Sequence, residues 1–263
     1  MTGLATTRAI NRSAGHLYTL VEQQTVHGPF PGATALTSLQ DSLGGSDGLL
    51  NWAVGLALDA VEQALPSIEA VQRGSGKEEA WLEARSAAFQ AKNKPRDLGT
   101  AVHAVVDQIN KGQPPQMFTD GVAPYVAQYG AALYQKRIQI LGSERYVVNT
   151  DIGFGGTYDS LVEIDGERGP LDVKTGKEKP SQRLQLAALS MGQWHGEAGL
   201  EAEPMPELSG VGFILLLRPD GYELVRHEIT DADREHVTHL VDTYHRIRAW
   251  ASAFLPTALK EAA

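Results

Sequence analysis

The chain has 263 residues, of which 42% are hydrophobic and 21% are charged, so it can build a sizeable core and is not a largely disordered protein. Its net charge of -9 argues against a protein that coats nucleic acid non-specifically, although a local basic groove is compatible with it. The absence of cysteine excludes disulfides, thiolate zinc sites and iron–sulfur clusters, and it favours a cytoplasmic location. The N-terminus lacks a signal-peptide pattern and no apolar run could span a bilayer, so we expect no membrane partner.

The N-terminal region, 1–94, is predicted to be mainly helical. Hydrophobic periodicity predicts helices at 34–43, 48–65 and 78–90. The exception is the alternating stretch 16–21, which predicts a short strand.

The rest of the chain alternates helices with strands. We predict a helix that stops at Gly112, a helix at 120–141, strands at 144–150, 152–164 and 171–175, a helix at 181–194, a strand pair at 210–229, and a last helix from Thr230 or Asp231 to Phe254. This order predicts an α/β core at 95–230 and a long C-terminal helix within 231–263. No linker divides the chain, so we expect a single domain, 1–263.

The hairpin at 155–177 carries charged residues where strand interiors are usually apolar. Alternation places Asp172 and Lys174 on one face of the second strand. A two-residue turn at Asp165-Gly166 would also place Asp159 of the first strand opposite Asp172. Because Gly169-Pro170 interrupts the second strand, a longer loop and another register stay open.

Two facing carboxylates repel each other and require a proton, a cationic side chain or a metal ion between them. Carboxylate oxygens suit Mg²⁺ or Mn²⁺, and Lys174 can share such a site. Gly155 and Gly156 precede the first acid, and strand glycines mark bulges or the close approach of a ligand. The alternative is a solvated hairpin with ordinary surface charges.

Four short motifs together resemble the PD-(D/E)XK nuclease superfamily, in its RecB-like branch with phage-type exonucleases. They are "LGTAVHAVV" (98–106), "GGTYD" (155–159), "LDVKTGK" (171–177) and "RLQLAAL" (183–189). The resemblance implies a restriction-endonuclease-like core of order αβββαβ, with a mixed central sheet flanked by helices. It departs from the family where a tyrosine is expected and Leu189 stands.

The resemblance also implies roles for individual residues. Asp159 and Asp172 match metal-ligating acids, and Lys174 matches the catalytic lysine. The other matches are the Val173 carbonyl and His103 as further metal ligands, Gln185 as a support for Lys174 or the nucleic-acid backbone, and Glu144 as an acid of the first core strand. The implied cofactor is one or two Mg²⁺ or Mn²⁺ ions. Each of the last matches has a plainer alternative, because His103 can be a core histidine, Gln185 a surface residue and Glu144 a structural acid.

A DNA substrate requires positive charge near this site. The basic residues that flank the motifs are Lys94, Arg96, Lys177, Lys179 and Arg183. The predicted function is therefore a metal-dependent DNA nuclease, with the resemblance favouring an exonuclease of phage recombination or DNA processing. A single-strand annealing or other recombination protein is a candidate partner, and a homo-oligomer is a candidate assembly.

Two other functions use similar residues. A Mg²⁺-dependent phosphatase acting on a small phosphate ester would need an enclosed pocket instead of an open groove. A non-catalytic nucleic-acid-binding module would retain the fold with a broken metal site, which the intact Asp159, Asp172 and Lys174 disfavour. The sequence leaves open exonuclease against endonuclease, DNA against RNA, and the polarity of digestion.

Overall fold

A computed structural model of the protein describes residues 7–13, 16–37, 97–115 and 118–254. Ten strands and four helices occur in these ranges, besides a helical turn at 33–37. In chain order they are β1 (Arg8–Arg12), β2 (Leu17–Glu22), β3 (Thr25–Pro31), α1 (97–110), α2 (Ala123–Gln135), β4 (Gln139–Asn149), β5 (Phe154–Ile164), β6 (Glu167–Lys174), α3 (Pro180–Ser190), β7 (Trp194–Gly196), β8 (Glu203–Pro204), β9 (Val211–Arg218), β10 (Gly221–Glu228) and α4 (Asp231–Phe254).

The centre of the fold is a seven-stranded sheet of order β10-β9-β6-β5-β4-β7-β8. Neighbouring strands are antiparallel except β6 and β9, which are parallel, so the sheet is mixed. Apolar residues of α1 and α2 pack on one face, here called the α1 face, and those of α3 and α4 pack on the other, the α3 face. The predicted α/β class, with a mixed central sheet flanked by helices and followed by a long helix, is confirmed.

The β5–β6 hairpin has the register that the turn predicts. Asp165 and Gly166 form the two-residue turn with φ of 50° and 82°, and Ile164 pairs with Glu167. The ladder continues without a shift to the pair Ser160 and Leu171. Gly169 and Pro170 stay inside β6, so the longer loop that they left open does not form.

Three of the predicted boundaries are wrong. The helix expected at 120–141 ends at Gln135, because Arg137 adopts a left-handed φ of 51° and the chain enters β4 at Gln139. That β4 strand is accordingly longer than the predicted 144–150. The helix expected at 181–194 ends at Ser190, and Trp194 already belongs to β7.

The described part of the N-terminal region is mostly strand, which differs from the helical prediction for 1–94. Strands β1, β2 and β3 form a separate antiparallel sheet, here called the N-terminal sheet, and β2 contains the strand predicted at 16–21. The helical turn at 33–37 belongs to the first predicted helix. The helices predicted at 48–65 and 78–90 lie outside the described residues.

Candidate metal centre

The regular alternation of side chains in β5 breaks at Asp159. Before the break, Gly156 and Tyr158 face α3, since a Cβ on Gly156 would meet the Leu189 side chain and Tyr158 belongs to the core on that face. After the break, it is Leu161 that faces α3, and Ser160 accepts a hydrogen bond from Asn110 of α1 at 2.9 Å. Asp159 therefore occupies an irregular position between two segments whose side chains alternate in opposite phase.

The neighbouring strand β4 is irregular at the matching position, Glu144. Its φ of 49° lies in the left-handed region, which costs a non-glycine residue about 1 kcal/mol or more. The adjacent pairs are Ser143 with Ser160 and Arg145 with Tyr158, so Glu144 lies across from Asp159. Strained backbone of this kind is concentrated at functional sites.

These two irregular positions and α1 bring three potential metal ligands together. One ligand atom each from His103, Glu144 and Asp159 lies within 4.8 Å of the other two. His103 Nδ1 lies 3.3 Å from Asp159 Oδ2. Among the residues that the structure describes, this is the cluster whose composition and spacing could hold a cation.

The Asp159 carboxylate also explains where the β5–β6 ladder ends. Its Oδ2 accepts a hydrogen bond from the Val173 backbone N–H at 2.8 Å, in place of the strand-to-strand bond that a regular pair would make. The two strands thus separate one residue beyond Ser160 and Leu171, and Asp159 does not form a ladder pair with Asp172. The role of the Val173 carbonyl as a ligand stays a prediction.

Asp172 lies beside the cluster but is engaged by Lys174. Its side chain is 3% exposed, and its Oδ1 accepts a hydrogen bond from Lys174 Nζ at 2.7 Å. Its Oδ2 is buried and has no hydrogen-bond partner among the described residues. Both side chains follow the expected face of β6, because Val173 packs in the core on the α1 face while their β9 partners belong to the core on the α3 face.

Burial and mutual repulsion favour protonation of two of the carboxylates. Burial, reinforced by the nearby charge of Asp159, raises the pKa of Glu144 to about 7. Burial likewise raises the pKa of Asp172, and the repulsion from Asp159 adds to this effect while Lys174 opposes it. An added cation would relieve the same repulsion.

The charged forms of the other groups of the site are favoured by their neighbours. Burial alone would raise the pKa of Asp159, but the charges of His103 and Lys174 and the Val173 N–H outweigh it and lower that pKa. Burial would lower the pKa of His103, yet the Asp159 carboxylate raises it. In the same way, Asp172 and Asp159 outweigh burial and raise the pKa of Lys174.

The residues present fit a divalent cation. Two carboxylates and one imidazole supply hard oxygen ligands and one nitrogen, a set that suits Mg²⁺ or Mn²⁺. Asp172 Oδ2 is an additional acceptor, because it is buried with no hydrogen-bond partner among the described residues and such an atom normally has one. The identity of the metal stays a prediction.

A polar network between α1 and the two irregular strands was missed by the sequence analysis. Asn110 donates hydrogen bonds to Ser160 at 2.9 Å and Ser143 at 3.3 Å, and Ser143 donates to Asp107 at 2.8 Å. The signal was present, because His103, Asp107 and Asn110 are spaced by four and then three residues and therefore share one face of α1. The network fixes the His103 helix against the strands on the side of the cluster away from the N-terminal sheet.

Gln185 and the predicted nucleic-acid-binding residues are not part of this cluster. Gln185 is half-buried on α3, and Lys177 and Lys179 are exposed after β6. Arg183 is held by Asp233, with Nε to Oδ1 at 3.0 Å and Nη2 to Oδ2 at 2.8 Å, so it already has an acidic partner. The other two predicted contacts, Lys94 and Arg96, lie outside the described residues.

The two glycines before Asp159 do not mark the approach of a ligand. A Cβ on Gly155 would lie 2.5 Å from Tyr18 Cβ and Cγ, and one on Gly156 would lie 2.8 Å from Leu189 Cδ2. Of the two explanations that the sequence left open, a bulge or the close approach of a ligand, neither is needed, because protein atoms occupy the space on both faces. The two glycines are needed because β2 and α3 pack closely on the two faces of β5.

No protein-family model matches this chain, and no curated protein sequence matches it. In the described part of the chain, every helix is too short or too polar to cross a bilayer.

Proposed function

We propose that this chain is a divalent-metal-dependent nuclease with a restriction-endonuclease-like core, which hydrolyses DNA phosphodiester bonds as an exonuclease of phage-type recombination or DNA processing. One observation carries the proposal. Residues far apart in the chain, His103, Glu144 and Asp159, converge beside the buried Asp172 and Lys174 pair at a break in two strands. The motif order and the family resemblance supply the choice of substrate.

Asp159, Glu144 and His103 would hold the metal, with Asp172 as a further ligand. When bound, a divalent metal lowers the pKa of a water molecule and neutralises charge that develops on the phosphate. Asp172 would bind through the Oδ2 atom that has no partner within the described ranges, so its contact with Lys174 could persist. This arrangement would hold an attacking water and a phosphate where β5 and β6 separate.

Lys174 and Glu144 differ in how firmly they hold a proton at neutral pH. Lys174 is only 26% exposed and its pKa is raised by its acidic neighbours, so it is charged at neutral pH. We therefore assign it the stabilisation of negative charge on the phosphate and not the removal of a proton. Glu144, with a pKa raised to about 7, would instead release its proton when it binds the metal, because the cation favours the charged carboxylate.

The partial exposure of the cluster favours a polymer over a small phosphate ester. The side chains of His103 and Asp159 are 26% and 18% exposed, although they carry the chemistry. They lie between α1 and the N-terminal sheet, where an extended substrate could continue in both directions. A phosphatase for a small ester would instead enclose its substrate.

The proposal is tested by incubating end-labelled linear DNA and covalently closed circular DNA with Mg²⁺ or Mn²⁺. Wild-type protein should release nucleotides from the ends of linear DNA only, and EDTA should abolish the release. Lys174→Ala should lose this activity, whereas Lys136→Ala, a lysine after α2 that is exposed and outside the site, should retain it. Cutting of closed circles would overturn the exonuclease assignment, and full activity of Lys174→Ala would overturn the active site.

A further inference from the structure

The N-terminal sheet lies beside the candidate metal centre, on the same face of the central sheet. The Tyr18 hydroxyl of β2 is hydrogen-bonded to Thr157 Oγ1 at 2.9 Å, and its ring meets Tyr146 edge-on with centroids 5.8 Å apart. Glu144 is two residues before Tyr146 in β4, and Asp159 is two residues after Thr157 in β5. The cluster is therefore bordered by the N-terminal sheet on one side and by α1 on the other.

Arg12 is at the end of the N-terminal sheet that points towards the cluster. Two residues earlier in β1, Ile10 packs in a core cluster with Val148 of β4. Arg12 pairs across β1–β2 with the tyrosine that packs against Tyr146. From Ile10 to Arg12, β1 therefore runs alongside β4 in the direction from Val148 to Tyr146. Glu144 is two residues beyond Tyr146 in the same direction.

The Arg12 guanidinium has no acidic partner in the part of the chain that the structure describes. Its contacts are with His16 and, at 6.0 Å from the ring centroid, with Tyr18. Arg8, on the same face of β1, is different because it forms an ion pair with Glu22 and is half-buried. Arg8 therefore holds the small sheet together, whereas Arg12 is exposed and can bind a ligand.

The Tyr18 hydroxyl is influenced by the charges of both Arg12 and Glu144. Burial raises the pKa of the Tyr18 hydroxyl, while the Arg12 charge lowers it and the Glu144 charge raises it again. A hydroxyl that responds to both groups lies within the electrostatic reach of each. The positive charge of Arg12 therefore acts close to the carboxylates of the centre.

We propose that Arg12 binds a backbone phosphate of the nucleic-acid strand, next to the phosphate that lies at the metal centre. The inference rests on the proposed function and adds a substrate contact that none of its motifs contains. A strand that crosses the cluster towards the N-terminal sheet carries a phosphate at each nucleotide, and the carboxylates repel those phosphates. A guanidinium binds phosphate through two parallel N–H donors, so Arg12 offsets this repulsion at the border of the site.

The test measures equilibrium binding of a fluorescein-labelled 12-nucleotide single strand and a 12-base-pair duplex by anisotropy, at several NaCl concentrations with Mg²⁺. The parent protein carries Lys174→Ala, so that the DNA is not consumed. Added to this parent, Arg12→Ala should raise the Kd about three- to thirtyfold. It should also make the slope of log K against log salt less steep by about 0.7 to 0.9, the change expected for one lost phosphate contact.

Two further variants separate this contact from a general effect of charge. Arg12→Lys should keep the salt slope of the parent and recover part of the affinity, because it keeps the charge but not the paired donors. Arg246→Ala removes the same charge from α4, on the opposite face, where Arg246 is paired with Asp242 and 80% exposed. It should bind DNA as the parent does.

The outcomes distinguish this inference from the proposed function. If the parent binds DNA and Arg12→Ala binds it as tightly as Arg246→Ala does, the Arg12 contact is wrong and the nuclease proposal stands. If the parent binds neither the single strand nor the duplex, and the wild type cleaves neither of them, both proposals fall. In active protein, Arg12→Ala should raise KM and leave kcat nearly unchanged, a division that a misfolded site would not give.

Discussion

The two faces of the central sheet differ most at the same short stretch of β5. On the α3 face, Gly156 lies under Leu189 and the Tyr158 hydroxyl is hydrogen-bonded to His195 at 2.9 Å within a core. On the α1 face, Asp159 meets His103 and Glu144 in a half-buried acidic cluster. One strand therefore serves stability on one side and candidate chemistry on the other, and the break at Asp159 separates the two roles.

The largest expected effect is on the acidic side of the break. Asp159→Ala removes the residue that contacts both His103 and Val173, so metal-dependent nuclease activity should fall at least about 10³-fold, the loss expected when several kcal/mol of metal-derived stabilisation disappear. Initial rates of nucleotide release measure it. Asp220→Ala, in the exposed β9–β10 turn, is the matched control and should retain its rate. An active Asp159→Ala protein would mean that the break is not a catalytic feature.

Alanine substitution of the two glycines of β5 compares how tightly the two faces of the strand are packed. A Cβ at position 155 would lie 2.5 Å from the Tyr18 Cβ and Cγ, whereas at 156 it meets the far end of the Leu189 side chain at 2.8 Å. Gly155→Ala should lower the free energy of unfolding by about 2–3 kcal/mol and Gly156→Ala by about 1 kcal/mol. Urea denaturation gives both values. The reverse order would show that the N-terminal sheet is packed more loosely than α3.

The pH dependence of stability should distinguish the cluster from the apolar face. The pKa of Glu144 is raised from 4.5 to about 7, so its folded form holds a proton more tightly than its unfolded form. The stabilisation that comes from this tighter proton binding is complete below pH 4.5 and is lost as the pH rises to about 7. In EDTA, the advantage of Glu144→Gln over wild type should therefore grow by about 1–2 kcal/mol between pH 4.5 and pH 8, after allowance for partial exposure.

Thermal unfolding at a series of pH values checks this difference. Glu207→Gln, at an exposed glutamate in the loop before β9, is the control and should show no such growth. A constant difference between Glu144→Gln and wild type would mean that Glu144 is not in a repulsive, half-buried cluster.

The smallest effect is expected from Arg183, on the α3 side. Because it is bound to Asp233 and 41% exposed, Arg183→Ala should lower stability by about 0.5–1 kcal/mol and change DNA affinity less than about twofold. Anisotropy with the same labelled oligonucleotides and a urea titration measure the two. A large loss of DNA affinity would extend the substrate path to α3, as the sequence motif suggests.

Much of the fold could be predicted because local signals and tertiary structure agree there. Asp165 and Gly166 specify a hairpin turn, and the register follows from it without further information. Likewise, α1 ends just before Gly112, whose φ of 65° is the left-handed conformation that glycine supplies. The hairpin turn alone therefore assigns Asp159 to one strand and Asp172 and Lys174 to the adjacent strand.

The rest could not be predicted because it departs from those rules. Alternation assumes an unbroken pleat, so it places Asp159 opposite Asp172, whereas the carboxylate takes the Val173 N–H and turns towards His103. Glu144 and Arg137 adopt left-handed φ values of 49° and 51°, although no glycine or asparagine announces them. Arg137 takes the left-handed position that ends a helix, where the Ile138 N–H donates to the Leu133 carbonyl, and Glu144 lies across from Asp159 of a strand that a single sequence does not align with it.

The most direct test of the central claim, that the break in β4 and β5 creates a divalent-metal site, is calorimetric titration of Mn²⁺ into the protein at pH 7.5. Wild type should bind at least one Mn²⁺, and both Asp159→Asn and Glu144→Gln should weaken this binding about tenfold or more. Asp220→Asn should bind as wild type does. Equal binding by the wild type and both site variants, or no binding by the wild type, would contradict the claim.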